Sequence, residues 1–446
     1  MPNKRYLFVA DATAPLASGE APLGVMGLAR ALGAAGAGAT ILSLGIPEQL
    51  DRVPGLARRL RTIRASTPDG PREIALYEGK APLSQAAMVI AGAVGGDRMA
   101  SAVLLAEAVR ALGDDGLIRT DVAVAWGETA ALALSRSAAS VRVFVVPSGR
   151  LGPMLTAAEF ATMESAGYSD IPVSNRSLAA IGAAASVAII APSASSARVL
   201  EADVELSERA SDEPFVAVRF GCDDPPHDPA TDASLPAVYS GEALGGKAEC
   251  RRAVVRRYAL ATGPRTLLLG TASLRRGKGG EELLAALDSL SSLDVAILVP
   301  GDGDADLLDR VKRLALHSPG RLAVLEVGDA SERLLRAATD AILLADLDDR
   351  TGRAAGLAQR YGCLPIAIDG GASRDYLVDY DAASATGSGL LYGASDAHEI
   401  AAAVSRAIAL RSSSDAWTEL VRRLMESAPR WSQTAATFDE ICSAFV

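Results

Sequence analysis

Histidine is scarce in this chain: His227, His317 and His398 are the only three in 446 residues, and none precedes position 227. The first half therefore offers no catalytic imidazole, and the remaining Ser, Asp and His residues show no spacing of a nucleophile triad. The four cysteines, Cys222, Cys250, Cys363 and Cys442, are far apart with no CxxC pair. That excludes a disulfide framework and a zinc site and points to free thiols in a reducing cytosol, hence a cytoplasmic protein. Basic residues are in deficit, 44 against 54 acidic ones, for a net charge of −10. A nucleic-acid binder would show a basic stripe, so that class is set aside, while small anionic ligands held by local groups stay open. Long apolar runs are missing too. Ser177 to Ala197 is uncharged and long enough for a bilayer, but Pro192 and its many Ser and Ala predict a small-residue helix to about Ala184, then the buried strand SVAIIAPS. No membrane segment is expected. The opening KRYLFVADATAPLA has a short apolar run broken by Asp11, and reads as a first strand rather than a signal peptide. Aromatics are only 4% of the chain, whereas Ala and Gly dominate, a composition that favours close helix–sheet packing.

What is present is an alternation. RYLFVA, LGVMGLARALGAAG and ATILSLG read as strand, helix and strand, and DVAVAW, VRVFVV, VAIIAP and FVAVRFG continue as short unalternated apolar strands. Such runs suit parallel strands buried on both faces. The rhythm breaks in the proline-rich stretch CDDPPHDPATDASLPAVYS, is followed by a helix in GGKAECRRAVVRRYAL, and restarts after Pro264 with RTLLLGT, DVAILVP, LAVLEV, DAILLA and LPIAID. The chain is too long for one compact domain. The fold class predicted is α/β, with two Rossmann-like doubly wound domains facing each other across a cleft. The expected limits are residues 1–262, residues 263–430 and a terminal helix in 431–446 that packs back on the first domain.

The segment HDPATDASLPAVYSGEALGGKAECRR resembles the bacterial glycogen synthase and plant starch synthase family, where Trp-Asn-Pro-Ala-Thr-Asp, Leu-Pro-Ala-x-Tyr-Ser and Gly-Lys-Ala join the two halves. VADATAPLASGEAPLGVMGLARAL, LLGTASLRRGKGGEELLAAL, VPGDGDADLLDRVKRLALHSPGRLAV, RYGCLPIAIDGGASRDYLVDYD and GSGLLY resemble further family blocks in the same order. The resemblance covers nearly the whole chain, with blurred stretches at 45–95 and 198–214. It implies a GT-B fold and the metal-free, cofactor-free transfer of glucose from ADP-glucose to an α-1,4-glucan with retention. Such chemistry needs fixed cations and helix N-termini at the departing diphosphate.

Set against the family's motifs, most of that machinery is replaced. The N-terminal Lys-Thr-Gly-Gly-Leu becomes Ser18, Gly19, Glu20, Ala21 and Pro22, so a lysine gives way to a glutamate. Trp126, Gly127 and Glu128 occupy the His-Asp-Trp-His-Thr segment, and Pro147 and Ser148 stand where a histidine would contact the donor sugar. The family arginine falls on Ser273 and the family lysine on Lys278, with Arg275 and Arg276 beside them as substitute phosphate contacts or as a solvated basic turn. The catalytic glutamate becomes Asp349, followed by Arg350, Thr351, Gly352 and Arg353, where the family has Pro-Cys-Gly-Leu. Backbone amides at Thr351 to Arg353, and those following Asp369 at Gly370 and Gly371, are the remaining candidates to face a phosphate. GDGDADLLD at 301–309 lacks the glycine and glutamate of a calcium loop and reads as a polar turn capping a helix.

Two functions fit. The first is a synthase relative, non-catalytic or severely impaired, that keeps the scaffold, with nucleotide-sugar or glucan binding or a protein partner. The second is a working glucosyltransferase with a rebuilt site that uses Lys278, Arg275 or Arg276, and Asp349.

Overall fold

A computed structural model describes residues 4–11, 20–45, 57–67, 70–79, 87–92, 98–114, 116, 118–171, 177–209, 214–290, 292–394 and 396–445. The chain divides into two compact units, residues 1–221 with 431–446, and residues 222–430.

The first unit is built on a nine-stranded sheet. Its strands are β1 (Arg5–Ala10), β2 (Gly38–Gly45), β3 (Ala57–Thr67), β4 (Gly70–Gly79), β5 (Ala87–Gly92), β6 (Val122–Trp126), β7 (Val141–Val145), β8 (Ala188–Ala191) and β9 (Phe215–Ala217). They lie in the order β3-β4-β5-β2-β1-β6-β7-β8-β9. β1 pairs in parallel with both β2 and β6, which makes the β1/β6 neighbourhood the point where strand order reverses. The apolar runs behave as the physics of a buried parallel sheet requires. In β1, Tyr6, Phe8 and Ala10 join one core cluster while Leu7 and Val9 join the cluster on the opposite face. The β3–β4 hairpin is antiparallel and makes the sheet mixed, which the reading of a doubly wound parallel sheet did not include. The uncharged stretch forms the helix Leu178–Ala184, strand β8 and the start of the helix Ala194–Glu201, and among the described residues no helix is long and apolar enough to cross a membrane.

The terminal helix Trp431–Ser443 belongs to this first unit. Lys4 Nζ meets its Asp439 at 3.0 Å, the Tyr6 hydroxyl donates to the same carboxylate, and Phe438 lies 6.2 Å from the Phe8 ring. Trp126, Phe220 and Trp431 form a column of stacked rings with centroids 5.2 and 6.0 Å apart.

The second unit holds a six-stranded, all-parallel sheet: β10 (Leu267–Thr271), β11 (Val295–Val299), β12 (Leu322–Val324), β13 (Ala341–Leu344), β14 (Leu364–Ile368) and β15 (Leu390–Tyr392), in the order β12-β11-β10-β13-β14-β15. This unit begins at Cys222, not near 262, because the proline-rich connection and the helix Gly245–Arg257 are bound to this sheet. Lys247 Nζ donates to the carbonyls of Arg336, Ala337, Thr339 and Tyr361 at 3.0–3.2 Å. Those oxygens end two helices, Asp329–Ala338 and Arg353–Arg360, so one ammonium caps both C-termini. The Tyr239 hydroxyl reaches the same Tyr361 carbonyl at 2.8 Å, and Arg251 pairs with buried Asp340, whose carboxylate also accepts from the Leu268 amide at 2.8 Å. The Leu-Pro-Ala-Val-Tyr and Gly-Lys-Ala segments are thus anchors of the second unit.

Candidate functional site

In an open parallel sheet, ligands are bound by loops at the carboxyl ends of the strands. In the second unit those loops are knitted together. The Asp304 amide donates to Leu274 O at 2.7 Å, Ala272 to Leu343 O at 2.9 Å, and Ala372 to Asp349 O at 3.0 Å. The loops after β10, β11, β13 and β14 are therefore held as one surface. Beside them Gly301, Asp302, Leu325, Gly328 and Ser331 line a pocket of about 180 Å³.

On that surface the candidate cations face carboxylates of the same chain. Lys278 Nζ is 3.1 Å from Asp346 Oδ2, and Arg275 Nη2 is 3.2 Å from Asp302 Oδ2. Ser273, which stands where the family has arginine, donates its hydroxyl to the other oxygen of Asp302 at 2.7 Å. Arg276 donates its amide to Asp304 at 2.8 Å and its guanidinium to Asp306 and Glu281. The acidic residues of GDGDADLLD thus neutralise the basic turn. Asp304 does stand at the N-cap of the helix Ala305–His317, but its carboxylate serves Arg276 rather than the helix amides.

The helix N-terminus after β13 is filled in the same way. Asp349 Oδ1 accepts from the Thr351 amide at 2.9 Å, the Thr351 hydroxyl at 3.1 Å and the Gly352 amide at 3.1 Å, while the Arg353 amide donates to Thr351 Oγ1 at 3.3 Å. The three amides that could cradle a phosphate have acceptors within five residues of sequence, and Asp349 sits in its own helix's anion seat. After β14, the Gly370 amide donates to Ile368 O at 2.9 Å. Asp369 is held by both Nε and Nη2 of Arg374 at 2.8 Å, which keeps its carboxyl below the usual range. Gly371 has φ 53° and runs against the Asp349 carbonyl, so its place follows from backbone packing.

In the first unit, Glu128 follows β6 at the strand-order reversal. Its carboxylate accepts the Gly152 amide, and burial raises its pKa while that amide opposes the rise. It holds the loop that contains Pro147 and Ser148, where Ser148 Oγ accepts the Arg150 amide at 3.2 Å. Ser18 and Gly19 lie outside the described residues, and Glu20 opens the helix Glu20–Ala34.

A second polar cluster in the second unit was not singled out from sequence. It gathers around His227, which stands where the resemblance has tryptophan, and Arg353, which stands where it has leucine. Arg353 pairs with Asp224 at 2.8 Å, Arg333 with Asp232 at 2.8 Å, Arg360 with Asp228 at 2.9 Å and Arg336 with Glu332 at 3.2 Å. The sequence signal was available: arginines at 333 and 336 share a helix face that turns toward the connection. Burial, and then the charges of Arg353, Arg336 and Arg333, push the His227 pKa down to about 3. A histidine that is harder to protonate when folded lets the unfolded chain bind more protons between its ordinary pKa and about 3, so stability falls as pH drops through that window. His227→Phe should remove this acid sensitivity. With exposure discounted, the urea-unfolding free energy of the wild type should lose about 2 kcal/mol more than the variant between pH 7 and 4.5. Parallel pH profiles would refute the assignment.

No family model matches the chain. It is 30% identical over 238 residues to the glycogen synthase of Methylocella silvestris, covering 52% of this chain and 49% of that one. It is 30% identical over 222 residues to the glycogen synthase of Halorhodospira halophila, covering 50% and 46%. The chain thus spans about half the length of the curated relatives it matches. Among solved structures, the catalytic domain of starch synthase IV from Arabidopsis thaliana, bound to ADP and acarbose, superposes with a TM-score of 0.82 at 18% identity, covering 99% of both chains. The sucrose-phosphate synthase of Thermosynechococcus elongatus gives a TM-score of 0.60 at 13% identity, again over 99% of both. In sequence over about half its length, and in its α/β fold over nearly all of it, the chain is similar to the glycogen and starch synthases, glycosyltransferases of the GT-B fold.

Proposed function

We propose that this chain is a glycogen synthase-like glycosyltransferase homologue whose ordinary transfer chemistry is severely impaired, and that it acts by binding a nucleotide, a glucan or a protein partner. The observation that carries this is the self-occupied anion site. Lys278, Arg275 and Arg276 face Asp346, Asp302, Asp304 and Asp306, and Asp349 consumes the helix amides beside it. A diphosphate would have to displace these carboxylates, so cations that would stabilise a leaving group are already engaged in the ground state. Asp349 would also have to leave its cap to meet a sugar, and the first 226 residues supply no histidine.

A second reading, an active enzyme with a rebuilt site, draws on the pocket beside Gly301 and Gly328, which has room for part of a nucleotide. Incubation of the purified protein with ADP-glucose and glycogen separates the two. The expected result is ADP release roughly 10³-fold or more below a glycogen synthase run in parallel, since each lost preorganised donor costs about 10²–10³ in rate. Robust turnover that disappears in Lys278→Ala would overturn the impaired reading. Loss of both turnover and ADP binding would end the enzyme reading.

A further inference from the structure

The sheet of the second unit carries a cavity at its other end. Thr266 immediately precedes β10 and Asp340 immediately precedes β13, so both lie at the amino ends of parallel strands, across the sheet from Lys278 and Asp349. A cavity of about 160 Å³ opens beside Asp340, lined by Lys247, Arg251, Arg411, Trp417 and, apart from Thr418, by aliphatic side chains. Lys247 and Arg251 stand four residues apart on one face of the helix Gly245–Arg257. Arg411 ends the helix Ala397–Arg411, and Trp417 lies in the next helix, Ser414–Ser427.

The charges of this lining do not balance. Lys247 is committed to the helix-end carbonyls. Two guanidiniums then share one carboxylate: Arg251 pairs with Asp340 Oδ2, and Arg411 Nε donates to Oδ1 at 3.3 Å. Arg251 also donates to the Thr266 carbonyl at 2.8 Å, and Asp340 also accepts the Leu268 amide at 2.8 Å, so both are well used. No other carboxylate lines the cavity. Nη1 and Nη2 of Arg411 have no acceptor among the described residues, and the guanidinium carbon lies 5.8 Å from the centre of the Trp417 ring. One positive charge and one guanidinium edge are thus unspent beside an indole and an aliphatic wall. Arg411 is 21% exposed, so a ligand entering from solvent can reach it. A guanidinium edge matches the two oxygens of a carboxylate, and a surplus of one charge suits a monoanion better than a phosphate dianion. The aliphatic lining favours a ligand with an apolar body, and the volume, room for several waters, limits that body to a few carbons.

We propose that this cavity is a second ligand site, separate from the loops at Lys278 and Asp349, that takes a small carboxylate with a short aliphatic body, its carboxylate on Arg411 and its body against Trp417. This goes beyond the proposed function and does not rest on the chain's catalytic state. The test is calorimetric titration of the full chain with isobutyrate at constant ionic strength. Isobutyramide, which has nearly the same shape without the charge, and acetate, which has the charge without the body, are the controls. The expected result is saturable binding of one isobutyrate per chain, with both controls roughly tenfold weaker or more. Arg411→Met should weaken isobutyrate roughly tenfold or more, as loss of charge-assisted bonds does. Ala248→Phe carries the test if Arg411→Met does not fold: Ala248 is an exposed residue of the lining, and a phenyl ring there should block the cavity while leaving every ion pair in place. Three results would overturn the proposal: no saturable isobutyrate binding, binding of isobutyramide or acetate as tight as that of isobutyrate, or isobutyrate binding that Ala248→Phe leaves intact. The last would put the ligand elsewhere on the chain.

Discussion

Lys247→Met should destabilise the second unit by about 2–4 kcal/mol, because a half-buried cation that serves several backbone acceptors is lost and those acceptors are left unmade. The ammonium sits within 3.2 Å of four carbonyl oxygens. Three of them lie at the end of the helix Asp329–Ala338 and the fourth at the end of Arg353–Arg360, where the helix dipole is negative. Burial lowers the lysine's pKa, so the charge is kept at a cost that the carbonyls must offset. Methionine keeps the length and the apolar stem while removing every donor. The Tyr239 hydroxyl would still bond Tyr361 O, so the loss should fall mostly on the helix Asp329–Ala338. Urea unfolding followed by circular dichroism checks the size, and hydrogen exchange over residues 329–340 checks the place. A change under about 1 kcal/mol would show the capping to be incidental.

Lys247 also marks how far the sequence could be read. Gly-Lys-Ala was legible as a family signature but not as a capping device, because its four acceptors come from residues about ninety and more positions away. Strands β6–β8 and β10–β14 were legible because their apolar runs are unalternated and bounded by turns. The sequence also carries a signal for the β3–β4 hairpin, Asp69-Gly70 between two runs of strand-like composition, which the expectation of parallel strands does not include. The boundary near 262 followed a change in rhythm, whereas the fold follows contacts, and those begin at Cys222. At the candidate site, residue identities were legible and pairings were not. Lys278, Arg275, Arg276 and Asp349 were all picked out, yet Asp302 and Asp346, which decide what the cations do, come from other strand ends. The His227 cluster left only a faint signal, Arg333 and Arg336 on one helix face, because its arginines are ordinary helix residues until the connection folds over them.

Gly352→Val should cost the second unit about 4 kcal/mol or more, a result that separates two reasons for a glycine at this position. Gly352 is the N-cap of the helix Arg353–Arg360, with φ 65° and ψ 4°, left-handed backbone that a β-branched residue resists. A Cβ there would also fall inside the van der Waals envelope of the Tyr376 ring, which is 3% exposed and has no room to withdraw. If the glycine served only to let a phosphate approach, substitution would leave stability unchanged and weaken ADP binding. If it is fixed by the turn and by Tyr376, substitution lowers stability whether or not any nucleotide binds. Adding Tyr376→Ala to a Gly352→Ala variant should then recover the steric part of the loss and leave the backbone part, about 1–2 kcal/mol, in place. Urea unfolding of the two single variants and the double variant measures this directly; strictly additive losses would remove Tyr376 from the account. The expected coupling would explain how this frame persists whether or not the transfer chemistry does. The turn 349–352 is held by Asp349 and seated on Tyr376, so the geometry of an anion-binding helix end is maintained by the chain's own contacts with no ligand needed to select it.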